Sequence, residues 1–153
     1  MTRIPHPSDV SVSLTLPPRW ATRSDPGHGV VVAARSREAP PSGFAPEIVV
    51  RSVPVDDDLV GWRQEALAAM RHQLEGFELE DEDLFDLGDH EVLYRRFSHR
   101  LVGTDLVCEQ WAWVVAGAGV TLTASVARVD YPTYCDLFED VAATVEVARP
   151  TAA

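Results

Sequence analysis

The amino-acid sequence predicts an α+β fold in which one antiparallel β-sheet of about six to seven strands is flanked by helices, in the order βββαββββα. Three observations predict this fold. Two neighbouring segments in the last third of the chain read as strands around a glycine-rich turn, and the second of them alternates apolar and polar residues. Two other segments repeat apolar residues at helical spacing. A chain of 153 residues is also long enough for one domain with a substantial core.

Three strands are predicted before the first helix. Val10–Leu16 alternates apolar residues with serine and threonine and ends at Pro17-Pro18, after which 19–26 is predicted to be a loop. Val30–Arg35 and Ile48–Val53 are the next two strands. We expect these three strands to form a meander.

The first helix is predicted to begin after Asp56–Asp58, which supply a cap and negative charge, and to end at Gly76. Arg63 projects from the middle of its apolar stripe. We expect the Arg63 guanidinium to reach solvent past the sheet edge while its stem packs, and a buried charge with a function is the alternative. The apolar stripe comprises Leu59, Val60, Trp62, Ala66, Leu67, Met70 and Leu74.

The middle of the chain is acidic. Phe77–Leu87 is predicted to combine a short strand with an acidic excursion, and His90–Leu101 is predicted to be a strand whose arginines face solvent. The acidic residues lack the order of an EF-hand loop, which favours a solvated loop over a calcium site. They are Glu78, Glu80, Asp81, Glu82, Asp83, Asp86, Asp89 and Glu91.

A hairpin is predicted from Asp105–Val115 and Val120–Val126, joined by the turn Ala116–Gly119. A tight turn would place the largest rings of the first strand opposite smaller partners on one face of the sheet, which would be a packed core face. The expected pairs are Val115 with Val120, Trp113 with Leu122, and Trp111 with Ala124.

The closing helix is predicted to follow Tyr131-Pro132, with Thr133 and Asp136 at capping-box spacing and a proline tolerated early in the helix. We expect this helix to cover the sheet with an apolar stripe. The stripe comprises Tyr134, Leu137, Phe138, Val141, Val145 and Ala148.

Composition bounds the partners and the location. Thirteen basic and twenty-four acidic residues give a formal charge of -11, which disfavours nucleic acid and anionic membrane surfaces and favours a basic or neutral protein partner. No apolar run is long enough to insert into a membrane, so we expect a cytoplasmic protein. A single domain is predicted over 10–148, with a flexible arm at 1–9 and a flexible tail at 149–153.

Catalysis is not predicted. All the basic residues are arginine, which excludes lysine chemistry such as Schiff-base formation. The five histidines are scattered, so neither a metal nor a cofactor is expected, and Cys108 and Cys135 are interpreted as structural. An enzymatic alternative rests only on His99 near Asp105 or on an unforeseen cluster.

Aromatic residues outside the predicted core are candidates for partner binding. Trp20 and Phe44 lie in loops rich in proline and glycine, where an aromatic side chain either contacts a partner or plugs a sheet edge. Trp62 lies at the margin of the first helix stripe and is expected to be half exposed.

A family resemblance follows from Leu14–Trp20, Phe44–Val50, the Trp111 strand with Leu122–Ser125 after it, and Phe138. These segments resemble the PsbP-like superfamily, which includes the photosystem subunit PsbP, a Ran-binding import factor of eukaryotes, bacterial DcrB, the Eag chaperones of type VI secretion and the actinobacterial LpqN lipoproteins. The chain is most similar to the LpqN-type branch. The resemblance implies an α/β/α sandwich and a non-catalytic role as an assembly subunit, adaptor or chaperone.

The chain departs from the resembled pattern at Glu47, where relatives often have asparagine, and it lacks a lipoprotein signal. Our first hypothesis is a protein-binding module, an adaptor or a chaperone for secreted cargo for example, in which Trp20, Phe44, Glu47 and Trp62 contact the partner. The alternative is a carrier of a small apolar ligand, in a pocket between sheet and helix with walls formed by Tyr94, Trp111, Tyr134 and Phe138. Neither hypothesis fixes the oligomeric state, and a homodimer stays open.

Overall fold

The computed structural model describes residues 10–149, in which nine strands and two α-helices form around one large sheet. Seven strands make this antiparallel sheet in the order β2-β3-β4-β8-β7-β6-β5, and β1 and β9 form a separate two-stranded pair. The predicted α+β class with helices flanking an antiparallel sheet is confirmed. The elements are β1 Ser11–Ser13, β2 Ala21–Asp25, β3 Val30–Arg35, β4 Glu47–Pro54, α1 Leu59–Gln73, β5 Glu78–Leu87, β6 His90–Leu101, β7 Thr104–Val115, β8 Ala118–Ala127, α2 Tyr131–Ala143 and β9 Glu146–Ala148.

The helices pack on opposite faces of the sheet. Trp111 and Trp113 of β7 point to the face covered by α2 and by the β1–β9 pair, where the main core is built around the fully buried Phe138. Alternation along the same strand sends Ala112 to the other face, where it packs against Leu59 of α1. Both faces of β7 are therefore buried, as its apolar sequence predicts.

The β7–β8 hairpin has a tighter turn than predicted. Ala116 and Gly117 alone form the turn, and both have positive φ, 50° and 77° respectively, as a two-residue hairpin turn requires. The observed pairs are Val115 with Ala118, Trp113 with Val120, and Trp111 with Leu122, so the predicted register is wrong by two residues. A shift of two residues keeps every side chain on its predicted face.

The pairing of the terminal strands also differs from the prediction. β1 pairs with β9 and is not part of the large sheet. The observed meander is β2-β3-β4, and its first strand, β2, lies within the predicted loop 19–26. The closing helix ends at Ala143, because Val145 and Val147 continue as an extended segment into β9. The predicted arm at 1–9 lies outside the described residues, as does all of the predicted tail except Arg149.

The helix starts agree with the sequence in part. The Asp58 side chain caps α1, and its Oδ1 accepts a hydrogen bond from the Gly61 amide at 2.8 Å, as predicted. In α2 the predicted capping box is wrong, because the helix begins at Tyr131 and Asp130 occupies the N-cap position. The Asp130 carboxylate instead accepts a hydrogen bond from the Ser42 hydroxyl.

The acidic excursion predicted within Phe77–Leu87 is wrong, because Glu78–Leu87 is one continuous strand, β5, at the edge of the sheet. Alternation sends its acidic residues to both faces, and two of them, Glu82 and Glu80, pair with Arg95 and Arg96 of β6. Arg95 is buried rather than solvent-facing, and its Nε donates to Glu82 Oε2 at 2.7 Å. The Glu82 carboxylate compensates the desolvation of the buried guanidinium, and the sequence pattern of β6 alone did not indicate this partner.

Arg63 is buried as well, with 5% of its surface exposed, so the predicted path to solvent is wrong. Its Nη2 donates to Gln110 Oε1 at 2.6 Å, and its guanidinium lies 4.6 Å from the centroid of the Trp62 ring. Desolvation, reinforced by the nearby charge of Arg95, lowers the pKa of Arg63 to about 10. The structure thus shows the alternative, a buried charge, because α1 places Arg63 over Gln110 of β7.

Across residues 10–149, neither helix has the length and apolar character needed to cross a membrane.

Candidate functional site

The four residues predicted to bind a partner do not form one patch. Trp20, Phe44 and Glu47 lie at the same end of the β2-β3-β4 meander, where Ala21, Arg35 and Glu47 share a row of the sheet. The Trp20 ring is half-buried against the main core, and Glu47 accepts hydrogen bonds from Arg35 Nε at 3.1 Å and Nη2 at 2.5 Å. Contact of these residues with a partner stays a prediction.

Trp62 lies at the opposite end of the sheet, about 20 Å away along β8 by the rise of a strand. Its ring is half-buried and covers Gly119, where an added Cβ would lie 2.6 Å from ring carbons. Trp62 is therefore partly exposed. Its position beside α1 separates it from the other three candidates.

A cleft opens on the α2 face beside the sheet edge, with a volume of ≈ 400 Å³. We call it the Glu109 cleft. Its floor is the sheet and one wall is the last turns of α2, so three strands and a helix position it. It is lined by Asp83, Phe85 and Leu87 of β5, Tyr94 of β6, Glu109 and Trp111 of β7, and Glu139, Ala142 and Ala143 of α2.

Two of the four predicted pocket walls, Tyr94 and Trp111, line this cleft, and their ring centroids lie 5.2 Å apart. Tyr134 and Phe138 do not line it. The centroids of their stacked rings lie 6.2 Å apart, nearer to the start of α2. Phe138 is fully buried in the main core. Two of the four predicted wall residues therefore line the cleft, and a ligand in it stays a prediction.

Glu109 is the unusual residue of the cleft. Only 6% of its surface is exposed, which is unusual for a side chain that carries a carboxyl group. Arg96 lies opposite it in β6. The Glu109 Oε2 accepts a hydrogen bond from the Tyr94 hydroxyl, whereas its Oε1 is buried and has no hydrogen-bond partner among the described residues. Burial raises the pKa of Glu109, although the hydrogen bond from Tyr94 and the charge of Arg96 oppose the shift.

The same contact affects the tyrosine. Desolvation and the hydrogen bond to Glu109 raise the pKa of Tyr94, so its hydroxyl keeps its proton and donates. Burial also raises the pKa of Tyr131. The site thus holds a neutral phenol, Tyr94, whose proton is donated to Glu109, and a desolvated carboxyl that can accept a further hydrogen bond.

The nearest arginines are engaged with other carboxylates. Arg96 Nε lies 3.4 Å from Glu80 Oε1, and Arg128 pairs with both Glu80 and Asp105. The charged residues that line the cleft itself are Asp83, Glu109 and Glu139, all acidic. The cleft therefore combines an aromatic floor with an excess of negative charge.

The fold does not bring together the residues on which the enzymatic alternative rests. His99 is opposite Leu106 and Asp105 is opposite Arg100, so His99 and Asp105 occupy neighbouring rows and point to opposite faces. Cys108 is buried, and desolvation raises its pKa to about 11, which disfavours the reactive thiolate. Within residues 10–149, no three His, Cys, Asp or Glu side chains form a group able to hold a metal ion.

Sequence reasoning missed Glu109 as a site residue. The available signal was a carboxylate in the row of Val107, Trp111 and Trp113, an apolar series that faces the core. A charged residue in such a row either ends the buried face or marks a polar site inside it. Which of these holds depends on Tyr94 and α2, which lie far from it in sequence.

The fold is similar to that of solved PsbP-like proteins. No family model matches the chain, and no curated protein matches it in sequence. Among solved structures, LpqN of Mycobacterium tuberculosis, which is involved in cell envelope biogenesis, superposes with a TM-score of 0.72 and 16% identity over 91% of this chain and 84% of LpqN. PA94 of Pseudomonas aeruginosa, a putative regulator of unknown function, gives 0.69 and 17% over 92% and 99%.

The cyanobacterial PsbP of Synechocystis sp. PCC 6803 gives a TM-score of 0.66 and 16% identity, over 90% of this chain and 92% of that one. Identities this low establish the fold alone. The predicted resemblance to the PsbP-like superfamily, LpqN included, is confirmed at that level. None of the three proteins is described as an enzyme.

Proposed function

We propose that this chain is a non-catalytic binding module that holds a basic segment of a protein partner, as an adaptor or a chaperone for secreted cargo does. One observation carries the proposal, namely that the acidic edge strand β5 borders the Glu109 cleft. The three comparison proteins, none of them described as an enzyme, agree with a role without catalysis.

An edge strand suits this role because its outer backbone groups are free to pair with an added strand. Charged residues on an edge discourage pairing with further copies of the same edge, since like charges repel. Glu78–Leu87 combines both properties, and its carboxylates attract a basic segment. The formal charge of -11 strengthens this preference for basic partners.

The test is retention of a host protein on the immobilised chain at about 50 mM and about 500 mM salt, which span the range where screening removes exposed attractions. We expect retention at low salt and loss at high salt. Asp83→Asn with Asp86→Asn should weaken retention, since both carboxylates lie on β5. The matched control, Asp56→Asn with Glu65→Gln, removes equal charge just before α1 and within it, and should retain the partner.

Equal loss in the two double variants would reduce the effect to net charge and contradict recognition by β5. The absence of any retained protein at low salt would remove the proposal itself.

A carrier of a small apolar ligand is the second candidate, favoured by the ≈ 400 Å³ volume of the cleft and its Tyr94 and Trp111 walls. Ligand at a hundredfold excess over its Kd would stabilise the fold by about 2.7 kcal/mol, a rise in Tm of roughly 5–10 °C for this chain length. Ala143→Phe, which fills the cleft, should abolish that rise, whereas Ala69→Phe on the exposed side of α1 should not. No rise across an apolar metabolite panel would dismiss the carrier.

A further inference from the structure

The Glu109 carboxyl is an incomplete polar site. Its residue is more than nine-tenths buried, it lines the cleft, and its Oε1 lacks a hydrogen-bond partner among the described residues. Buried carboxylate oxygens are normally paired, since an unpaired one keeps its full desolvation cost. An occupant of the cleft that donates a hydrogen bond would complete the site.

The surroundings select the charge of that occupant. Asp83 and Glu139 add negative charge to the lining, and no lining residue is basic. Arg96 is the nearest cation, opposite Glu109 in the sheet, but it pairs with Glu80. A neutral apolar occupant would leave Oε1 without a donor, whereas a cation supplies both a donor and compensating charge.

The floor of the cleft selects the shape of the occupant. Tyr94 and Trp111 present neighbouring rings, whose faces attract an ammonium or guanidinium group. Phe85, Leu87 and Ala142 provide apolar surface for a chain of methylene groups. A cationic tip on a flexible apolar stem fits this combination, and lysine and arginine side chains have that form.

We infer that the Glu109 cleft receives a lysine or arginine side chain of the protein partner, with its cationic tip at Glu109 and its stem along Phe85 and Leu87. This inference rests on the proposed function, because β5 lines the cleft and also forms the edge on which the partner segment would lie. Alternate side chains of an added strand point to the same face. One basic side chain per segment would thus enter the cleft while its neighbours stay outside.

The direct test uses Nα-acetyl-lysine N-methylamide and the norleucine compound with the same stem but no ammonium group. Binding is followed by NMR shifts of the Tyr94, Trp111 and Ala142 amides and of the Trp111 indole. We expect the norleucine probe to bind at least about tenfold more weakly, because charge-assisted hydrogen bonds are the strong ones. Glu109→Gln should weaken the lysine probe similarly, and Glu65→Gln on α1 should leave it unchanged.

Equal binding of both probes, or lysine binding that is unaffected by Glu109→Gln, would overturn the inference. So would shifts confined to residues outside the cleft. Ala143→Phe provides a second variant that blocks the cleft and keeps the carboxyl, so loss of binding there does not depend on the folding of the Glu109 variant. Retained melting behaviour of each variant confirms that loss of binding is local.

Partner retention separates this inference from the proposed function. Retention that depends on β5 charge but not on Glu109 would leave the binding module in place and overturn its basic anchor. Lysine-probe binding at Glu109 without any retained host protein would overturn the assignment of the cation to a protein partner. Loss of partner with Glu109→Gln, together with weaker lysine binding, would support both proposals.

Discussion

Gly119→Ala should destabilise the protein although it adds only one methyl group. Gly119 is paired on both sides, with Val53 of β4 and Val114 of β7, so its backbone is held in the middle of the sheet. A Cβ built there would lie 2.4 Å from Val55 Cγ2 and 2.6 Å from carbons of the Trp62 ring. Because the sheet cannot move, Val55 and Trp62 must.

The magnitude follows from this overlap. Carbon atoms pack at about 3.5–4.0 Å, so the new methyl group overlaps two neighbours by roughly 1 Å. Overpacking of this kind costs about 1–3 kcal/mol, against which the better strand propensity of alanine returns a few tenths. We expect the free energy of unfolding to fall by about 2 kcal/mol, a loss of roughly 4–8 °C in Tm at this chain length.

Urea and thermal unfolding of four proteins form the assay: wild type, Gly119→Ala, Val55→Ala and the double variant. Val55→Ala removes the shorter contact, so the double variant should be more stable than the sum of the single effects predicts, by about 1 kcal/mol or more. A Gly119→Ala protein as stable as wild type would refute the reasoning, as would strict additivity of the two changes.

The same variant tests a predicted binding residue indirectly. Gly119→Ala moves the Trp62 ring without replacing it, and a shift in tryptophan fluorescence would report the movement. Weakened partner retention would then indicate that the position of Trp62 matters, while unchanged retention would count against Trp62 as a contact.

Three further outcomes follow from buried groups. Burial raises the pKa of Glu109, so the folded state holds its proton to a higher pH than the unfolded chain, and this carboxyl lowers stability as the pH rises above about 4.3. The Tm advantage of Glu109→Gln over wild type should therefore grow between about pH 4 and pH 8, and an advantage independent of pH contradicts this. For Arg63, a pKa lowered to about 10 corresponds to a penalty of roughly 3 kcal/mol on the charged form. Arg63→Met loses that penalty and also the hydrogen bond to Gln110, worth about 1–3 kcal/mol with its partner left unpaired, so urea unfolding should show a net gain of about 0–2 kcal/mol; a net loss beyond about 1 kcal/mol would show that the charge is needed. Phe138→Ala should cost about 3–5 kcal/mol in urea unfolding, because its ring is fully buried between α2 and the sheet, and a cost below about 1 kcal/mol would place the core elsewhere.

Periodicity carried most of the fold prediction. The strands from β3 to β8 and both helices have enough residues for their spacing to be read, and alternation in β7 correctly placed Trp111 and Trp113 on one face. The hairpin register was wrong by two residues because both registers keep the same faces, and only the backbone of Ala116-Gly117 decides between them.

Two short strands, β2 and β9, were missed, and the partner of β1, which lies within the predicted strand Val10–Leu16, was not predicted. β1 and β9 have three residues each and come from opposite ends of the chain, so no local pattern announces their pairing. β2 is Ala-Thr-Arg-Ser-Asp, mostly exposed, and it is held by its backbone hydrogen bonds to β3 rather than by an apolar face. Sequence periodicity reports burial, and β2 and β9 bury too few side chains to be recognised from it.

The candidate site was harder to predict for the same reason. Tyr94 and Trp111 were found as pocket walls because aromatic residues stand out in strands, but Glu109 acquires its meaning only from neighbours on β6 and α2. The acidic residues of β5 were visible as a cluster, and their excursion from the sheet was predicted instead of an ordered edge. Charge density alone does not distinguish a solvated loop from a strand whose carboxylates meet arginines across a sheet.

The two faces of the sheet treat buried charge differently. On the α1 face, Arg95 has Glu82 and Arg63 has Gln110, so each guanidinium has an acceptor. On the α2 face, Glu109 has the hydroxyl of Tyr94 at one oxygen and, within residues 10–149, no partner at the other. A leucine at this position would extend the apolar row of Trp111 and Trp113, so fold stability gives no reason for a carboxyl here. Positions that lower stability without a structural benefit are typical of functional sites, and this is the physical ground for proposing that the cleft binds a partner.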